Sequence, residues 1–408
     1  MSPSKHPVGI IGTGTMGAGI AQVAARHGFT VMLLDQDRET VDSAMERIRG
    51  HINRMAEKGR ITEGERDEAS ARLHPAEKPE DLRDCDLVIE AIIESLEAKT
   101  AMFKTLLPHL REEAIIASNT SSLSISAIGN AIGCPERVVG MHFFNPAPLM
   151  PLVEVISGQR SDPKLVDRVV LIAEAWGKTV ARANDTPGFI VNRVARPFYL
   201  EAWRIFEDGY AGVDQIDEAM RSLGGFRMGP FELTDLIGQD VNVATTESVW
   251  KQLGGPSRLK PSATQEKLVR EKHLGRKTGH GAYIHDGEDP RPAIEPESRE
   301  LKLSERMQDA VDRFNEGATD QIGSPLEKYI FARVLIAVIN EAAWAMSEGV
   351  ADQANIDTAL RKGVNYPKGP FTWADEIGLG ICGELLDALN DTVNDGRFLA
   401  PDSLRSKV

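Results

Sequence analysis

Val8-Gly9-Ile10-Ile11-Gly12-Thr13-Gly14-Thr15-Met16-Gly17 is the stretch that decides the fold. An apolar strand breaks into a glycine turn, and small or apolar residues then recur at helical spacing through Ala25. In a strand–turn–helix each glycine has a task. Gly12 permits the tight turn, Gly14 admits a pyrophosphate against the backbone, and Gly17 lets helix and strand pack closely, while Thr15 and Met16 open the helix whose N-terminus faces the phosphates. The next strand, Phe29 to Leu34, ends in Asp35, 21 residues beyond Gly14. That is the place of the acid that accepts the adenine-ribose hydroxyls of a dinucleotide. A carboxylate there repels a 2′-phosphate, so the expected cofactor is NAD rather than NADP.

Asp86 to Ile92 and Ala114 to Ser118 read as further buried parallel strands, with a helical pattern from Glu97 to Leu107 between them. The first half is therefore expected to be a doubly wound α/β domain of Rossmann type. Ligands of such sheets sit beyond the carboxyl ends of the strands, where Glu90, Glu94, Asn119 and Ser121 fall. Val138-Val139-Gly140-Met141-His142 is a strand ending in a histidine, followed by Pro146, Pro148 and Pro151. Leu152-Val153-Glu154-Val155-Ile156 is a second strand with one carboxylate in an apolar run. If the two strands are neighbours, Glu154 reaches a ring nitrogen of His142 and fixes its tautomer. A base so oriented beside a nicotinamide is what alcohol oxidation needs.

Gly12 to Gly19, Ala117 to Leu123, His142-Phe143-Phe144-Asn145-Pro146, Val153-Glu154-Val155 and Asp185-Thr186-Pro187-Gly188-Phe189-Ile190-Val191-Asn192-Arg193 together resemble the L-3-hydroxyacyl-CoA dehydrogenase family, over roughly residues 6 to 285. The resemblance implies that His142 is the base and Glu154 its partner. It further implies that Ser121 and Asn192 hydrogen-bond the reacting oxygen of the substrate, and that Glu94, Lys99, Asn145 and Lys277 contact the cofactor. Ser121 and Asn192 are neutral donors that steady charge on oxygen without competing for the proton; Ser121 also suits a helix cap. Asn192 is expected in a helix started by Asp185-Thr186-Pro187.

Arg47, Arg49, Arg54, Lys58 and Arg60 form a basic segment after Asp35. In a chain of net charge -14, Arg54 and Lys58 are candidates to clamp the phosphates of coenzyme A; a solvated helix face is the other reading. The acyl group is not legible. Fatty-acid β-oxidation, 3-hydroxybutyryl-CoA metabolism and aromatic degradation such as phenylacetate catabolism all fit. A dehydrogenase of free hydroxy or sugar acids, similar to L-gulonate 3-dehydrogenase, is the alternative, and a dinucleotide-binding protein without turnover is a third.

The second half is expected to be all-α and duplicated. Glu201 and Glu341, Ile216-Asp217 and Ile356-Asp357, Gly229-Pro230-Phe231 and Gly369-Pro370-Phe371, and Ile237-Gly238 and Ile377-Gly378 are each 140 residues apart. The expected organisation is a cofactor domain over 1–185, a first helical copy over 186–285, a linker over 286–323 and a second copy over 324–408. Asn192 corresponds to Ala332, so the second copy lacks that donor. Its expected use is structural, as an in-chain partner that pairs with the first copy, with further homo-oligomerisation open.

The remaining composition narrows the class. The 408 residues are 41% hydrophobic and 26% charged, ordinary for a globular chain. The net charge argues against nucleic acid or an anionic membrane as partner. No run of about 18 apolar residues stands out, and Met1 to Pro7 lacks the regions of a signal peptide, so the expected address is cytoplasmic. Cys85, Cys134 and Cys382 are scattered and the nine histidines form no His-Glu-x-x-His pattern, so no metal site is expected.

The cofactor expectation is directly measurable. Wild-type kcat/KM should favour NAD over NADP, and Asp35→Ala should narrow that ratio; equal wild-type values would remove the role given to Asp35.

Overall fold

Strand β1 (Val8–Ile11) is buried along its whole length, as a strand covered on both faces must be. The structure, a computed structural model, describes residues 6–287 and 289–405. Around β1 the first half alternates through α1 (Thr15–Arg26), β2 (Val31–Leu34), α2 (Arg38–Glu57), α3 (Glu63–Ala71), β3 (Leu73–Pro75), β4 (Leu87–Glu90), α4 (Leu96–Leu106), β5 (Ile115–Ser118), α5 (Ile125–Ile132) and β6 (Val138–Phe143). Then follow β7 (Leu152–Ser157), α6 (Pro163–Ala175) and β8 (Thr179–Asn184). The strands form one sheet in the order β3-β2-β1-β4-β5-β6-β7-β8. All neighbours are parallel except β6 and β7. The order runs outward one way from β1 to β3 and the other way from β4, so the switch point lies between β1 and β4. The crevice at the carboxyl ends of those strands is where such sheets take a dinucleotide.

The chain divides between Phe189 and Ile190, a little beyond the boundary expected from sequence. Asp185 does not start the helix that carries Asn192. Its carboxylate accepts hydrogen bonds from Ser124 Oγ and from the amides of Ile125 and Ser126, which caps α5. Phe189 then turns the chain with φ +48°.

The second unit comprises α7 (Val191–Val194), α8 (Arg196–Glu207), α9 (Val213–Gly224), α10 (Pro230–Ile237), α11 (Gln239–Gln252) and α12 (Ala263–Arg270), then β9 (Tyr283–Ile284) and β10 (Arg291–Pro292). It continues with α13 (Glu305–Ala318), α14 (Pro325–Ser347), α15 (Gln353–Gly363), α16 (Pro370–Ile377), α17 (Leu379–Val393) and α18 (Asp402–Arg405). The two-residue ladder of β9 and β10 is the one departure from an all-helical unit among the described residues. The stretch expected as a linker carries α13, which packs on α14, α16 and α17. Helix α14 is long and apolar enough to cross a membrane by length and composition, yet 83% of its apolar window is buried inside the unit. It lies against α8 and α9, and a helix apolar all round belongs in such a core.

Two halves of this unit face each other with matching contacts. Arg193 Nε donates to Glu341 at 2.8 Å and Arg333 Nε donates to Glu201 at 2.9 Å. Arg193 also pairs with Glu348 at 2.7 Å, and Arg333 with Asp208 at 2.9 Å. Every residue on one side has its counterpart 140 positions on. Asp217 and Asp357 each accept two backbone amides, from Phe231 and Glu232 and from Phe371 and Thr372. A side chain at Gly229 or Gly369 would collide with the aspartate that caps it, at 2.3 and 2.0 Å. This is why Gly-Pro-Phe recurs.

Glu201 is 1% exposed. Burial alone would push its carboxyl up, but the guanidinium groups of Arg204, Arg333 and Arg397 outweigh it and hold the carboxyl at about 2, against an ordinary 4.5. A lowered carboxyl stabilises the fold above its unfolded value and loses that contribution as pH falls toward its folded value, on the order of 3 kcal/mol in all. Glu201→Gln should therefore be less stable at pH 7, and its stability should fall less steeply between about pH 4.5 and 2. Urea unfolding at several pH values reads this, and parallel curves for the two proteins would contradict it.

Candidate active site

The phosphate end of the site is built from the turn after β1. Gly12 has φ +86°, and a Cβ there would lie 2.7 Å from the Ala91 carbonyl oxygen. A Cβ at Gly17 would come within 1.8 Å of the Gly12 carbonyl oxygen, whereas Gly14 has nothing within 4 Å. Gly14 caps α1 and no side chain bonds the helix end. The amides of Thr15 and Met16 thus open onto clear space at a positive helix end, which suits a pyrophosphate. Asp35 accepts hydrogen bonds from Thr13 N at 2.5 Å, Thr13 Oγ1 at 2.7 Å and Gln36 N at 2.8 Å. It ties the turn to the end of β2, and a carboxylate retains lone pairs for ribose hydroxyls.

Beyond β4 and β5 the sequence candidates turn out to hold one another. Glu90 is fully buried and Lys99 is 1% exposed. Lys99 Nζ lies 2.6 Å from Glu90 and 3.2 Å from Glu94, and Ser118 Oγ donates to Glu90 at 2.6 Å. Glu94 accepts from Thr120 Oγ1 at 2.6 Å, Ser121 N at 3.0 Å, Ser122 N at 3.1 Å and Ser122 Oγ at 2.9 Å. Burial works to raise the Glu94 carboxyl, but Thr120, Lys99 and the serines more than offset it and hold it below the ordinary value. Lys99, one of the expected cofactor contacts, lies beneath Glu94, and Glu94 fixes the turn that carries Ser121.

His142 lies opposite Glu154 in the antiparallel pairing of β6 with β7, and its Nδ1 is 2.7 Å from Glu154 Oε2. The histidine is 6% exposed and the glutamate 0%. A carboxylate only accepts, so the proton of a neutral ring sits on Nδ1 and Nε2 carries the lone pair. Phe144 and Phe189 pack on the ring, with centroids at 4.5 and 5.9 Å. Asn119 Oδ1 accepts from Phe143 N at 2.9 Å, tying the end of β5 to the residue after the histidine.

A cavity of about 450 Å³ opens beside the turn. Arg26, Arg47, His51, Arg54, Lys58 and Arg60 line it, together with Thr15 and Asn145 to Leu149. Residues 47, 51 and 54 recur at helical spacing on one face of α2, and Lys58 follows at its C-terminal cap; Arg49 is exposed and does not line the cavity. Among the described residues none of the five arginines and lysines on this wall has a carboxylate within ion-pair distance. The Asn145–Met150 loop is held from below by Lys178, whose Nζ donates to the carbonyls of Ala147 at 2.6 Å and Met150 at 2.7 Å. In the second unit Asn192 lies on α7, and Lys277 pairs with Asp240 at 2.5 Å.

Residues 7–186 match the NAD-binding domain of 3-hydroxyacyl-CoA dehydrogenase, and residues 188–285 and 329–408 match its C-terminal domain. The chain belongs to the 3-hydroxyacyl-CoA dehydrogenase family. It is 37% identical to the 3-hydroxyadipyl-CoA dehydrogenase of Escherichia coli, across 100% of this chain and 98% of that protein. Human mitochondrial hydroxyacyl-coenzyme A dehydrogenase is 41% identical, over 68% of this chain and 90% of its own length. A crystal structure of 3-hydroxybutyryl-CoA dehydrogenase from Escherichia coli superposes with a TM-score of 0.87 at 36% identity, covering 98% of this chain and 97% of that one. As a member of the family this dehydrogenase is an NAD-dependent oxidoreductase.

Three features of the site were outside the sequence reading of this dehydrogenase. Arg26 comes to the cavity from the end of α1 and His51 from mid-α2, and neither stands in a motif. Lys178 anchors a loop some 30 residues before it; an isolated lysine at a strand start gives no signal.

Proposed function

We propose that this dehydrogenase oxidises the 3-hydroxyl of an L-3-hydroxyacyl-CoA to the 3-oxo thioester, with His142 as general base. The observation that carries the CoA reading is the cavity beside α1 and α2, with its five unpaired cations in a chain of net charge -14. A free hydroxy or sugar acid has nothing to neutralise so many charges, whereas the phosphates of coenzyme A do. NAD accepts the hydride in this chemistry. His142 Nε2 takes the hydroxyl proton as the hydride leaves the same carbon, so the carbon–oxygen bond becomes a carbonyl. Glu154 holds the ring and stabilises the imidazolium that forms. Ser121, on the turn fixed by Glu94, and Asn192 are the proposed donors to the reacting oxygen. Gly12, Gly14, Thr15, Met16, Gly17, Asp35, Glu94, Lys99, Asn145 and Lys277 are the proposed NAD contacts.

Removing the base should lower kcat for His142→Ala by about 10²- to 10⁴-fold with thermal unfolding close to wild type; near-normal turnover would defeat the assignment. The cavity is tested separately. Arg54→Ala with Lys58→Ala should raise KM for a 3-hydroxyacyl-CoA by roughly tenfold or more. The same variant should handle the corresponding N-acetylcysteamine thioester, which has no phosphates, like wild type. An equal loss on both thioesters would show that these cations do not read the CoA phosphates.

A further inference from the structure

Among the described residues, the second unit contains a buried cation with no counter-charge. Arg196 is 5% exposed, its Nε has no acceptor, and its Nη1 has only long contacts to Thr246 Oγ1 at 3.3 Å and the Asn242 carbonyl at 3.4 Å. Its guanidinium lies 4.9 Å from the centroid of the Tyr199 ring. Burial pulls its pKa down, and the opposing influences are the phenols of Tyr199 and Tyr366 rather than any carboxylate. Every other arginine this deeply buried in the unit is paired: Arg193 with Glu341 and Arg333 with Glu201. An uncompensated buried charge is costly, and an anion that reached it would relieve that cost.

Close by, a cavity of about 300 Å³ is walled by Phe198, Phe226, Met228, Leu233, Val364 and Tyr366. Its body is apolar. The Tyr366 hydroxyl, on a residue 4% exposed, has no hydrogen-bond partner. Arg227, which is exposed, stands at its rim. A buried hydroxyl without an acceptor has the same unmet need as Arg196, and both are met by one carboxylate carried on an aliphatic stem.

Position along the helix gives the length of that stem. Arg196 follows Asn192 by four residues, with Ala195 between α7 and α8 in right-handed helical geometry. The two side chains therefore rise on one face about 6 Å apart along the axis. If Asn192 holds the oxygen on C3, as in the reading above on which this rests, two methylenes beyond C3 bring a terminal carboxylate to Arg196. We infer that Arg196 and Tyr366 are specificity-determining residues that select 3-hydroxyacyl thioesters bearing a terminal carboxylate. The second helical copy thereby contributes to recognition, since Tyr366 comes from it and its counterpart in the first copy, Phe226, has no hydroxyl.

The test uses two CoA thioesters of equal chain length, 3-hydroxyadipyl-CoA and 3-hydroxyhexanoyl-CoA, which differ in the terminal carboxylate. Wild-type kcat/KM should favour the dicarboxylic substrate by about 10- to 100-fold, the worth of a charge-assisted contact. In Arg196→Met that ratio should collapse toward one, Arg196→Lys should retain part of it, and Tyr366→Phe should reduce it a few-fold. Arg196→Met should unfold at the same or a higher temperature, because it removes an unpaired charge. A wild type that oxidises both thioesters equally overturns this inference alone and needs no variant to fold. Preference persisting in Arg196→Met also overturns it. A wild type that oxidises neither thioester, yet oxidises a free hydroxy acid, overturns the acyl-CoA reading and this one with it.

Discussion

Glu154 has no solvent exposure, and an ionised carboxylate taken that far from water is tolerated only when a donor meets it. His142, 2.7 Å away, is such a donor. Much of the first unit follows from keeping these two side chains opposite each other. They lie on one face because β7 runs antiparallel to β6 in a sheet whose other pairings are parallel. A slip of one residue in that register would turn Glu154 to the other face. The return between the strands is fixed by the Lys178 ammonium under the carbonyls of Ala147 and Met150, in surroundings whose burial, followed by the nearby Arg26, pulls its pKa down to about 8. The same return lines the cationic cavity, so one loop both follows the strand of His142 and shapes the neighbouring cavity.

A second buried ionic group organises the other side of the site. Glu90, Lys99 and Glu94 descend from interior to surface, and the outermost carboxylate gathers Thr120, Ser121 and Ser122. Surface ion pairs contribute little, but a chain of charges inside a sheet fixes geometry, because breaking any member strands the others. The turn bearing Ser121 is thus held by electrostatics from beneath rather than by apolar packing.

The helical unit shows what duplication keeps and what it releases. The reciprocal Arg193–Glu341 and Arg333–Glu201 pairs bind copy to copy, and the aspartate caps at 217 and 357 repeat each helix entry. Asp235, by contrast, accepts from Ala282 N, Tyr283 N and His285 Nε2 and so holds the β9 hairpin, whereas Asp375, its counterpart, is exposed. Arg196 likewise corresponds to the apolar Ile336, buried in α14. The contacts that join the copies and the caps that start their helices stayed alike, while the hairpin contacts of Asp235 and the cation at Arg196 belong to the first copy alone.

Sequence alone determined what depends on neighbours along the chain. The glycine turn, the acid at Asp35, the alternation of strands and helices in the first half and the 140-residue repeat follow from periodicity and spacing, and the pairing of His142 with Glu154 followed on the condition, met in the fold, that their strands are neighbours. Each of these is enforced by local backbone sterics or by the face on which a residue falls. Tertiary structure alone decided where charges are neutralised, since partners of a buried charge come from any element. Lys99 lies between two glutamates that sequence did not pair with it, and Asp185, which looked like the start of the next helix, caps α5. The stretch 286–323 looked like a connection and contributes a packed helix. Arg196 and Tyr366 are 170 residues apart, and only folding shows that the Arg196 Nε and the Tyr366 hydroxyl are both buried without a hydrogen-bond partner.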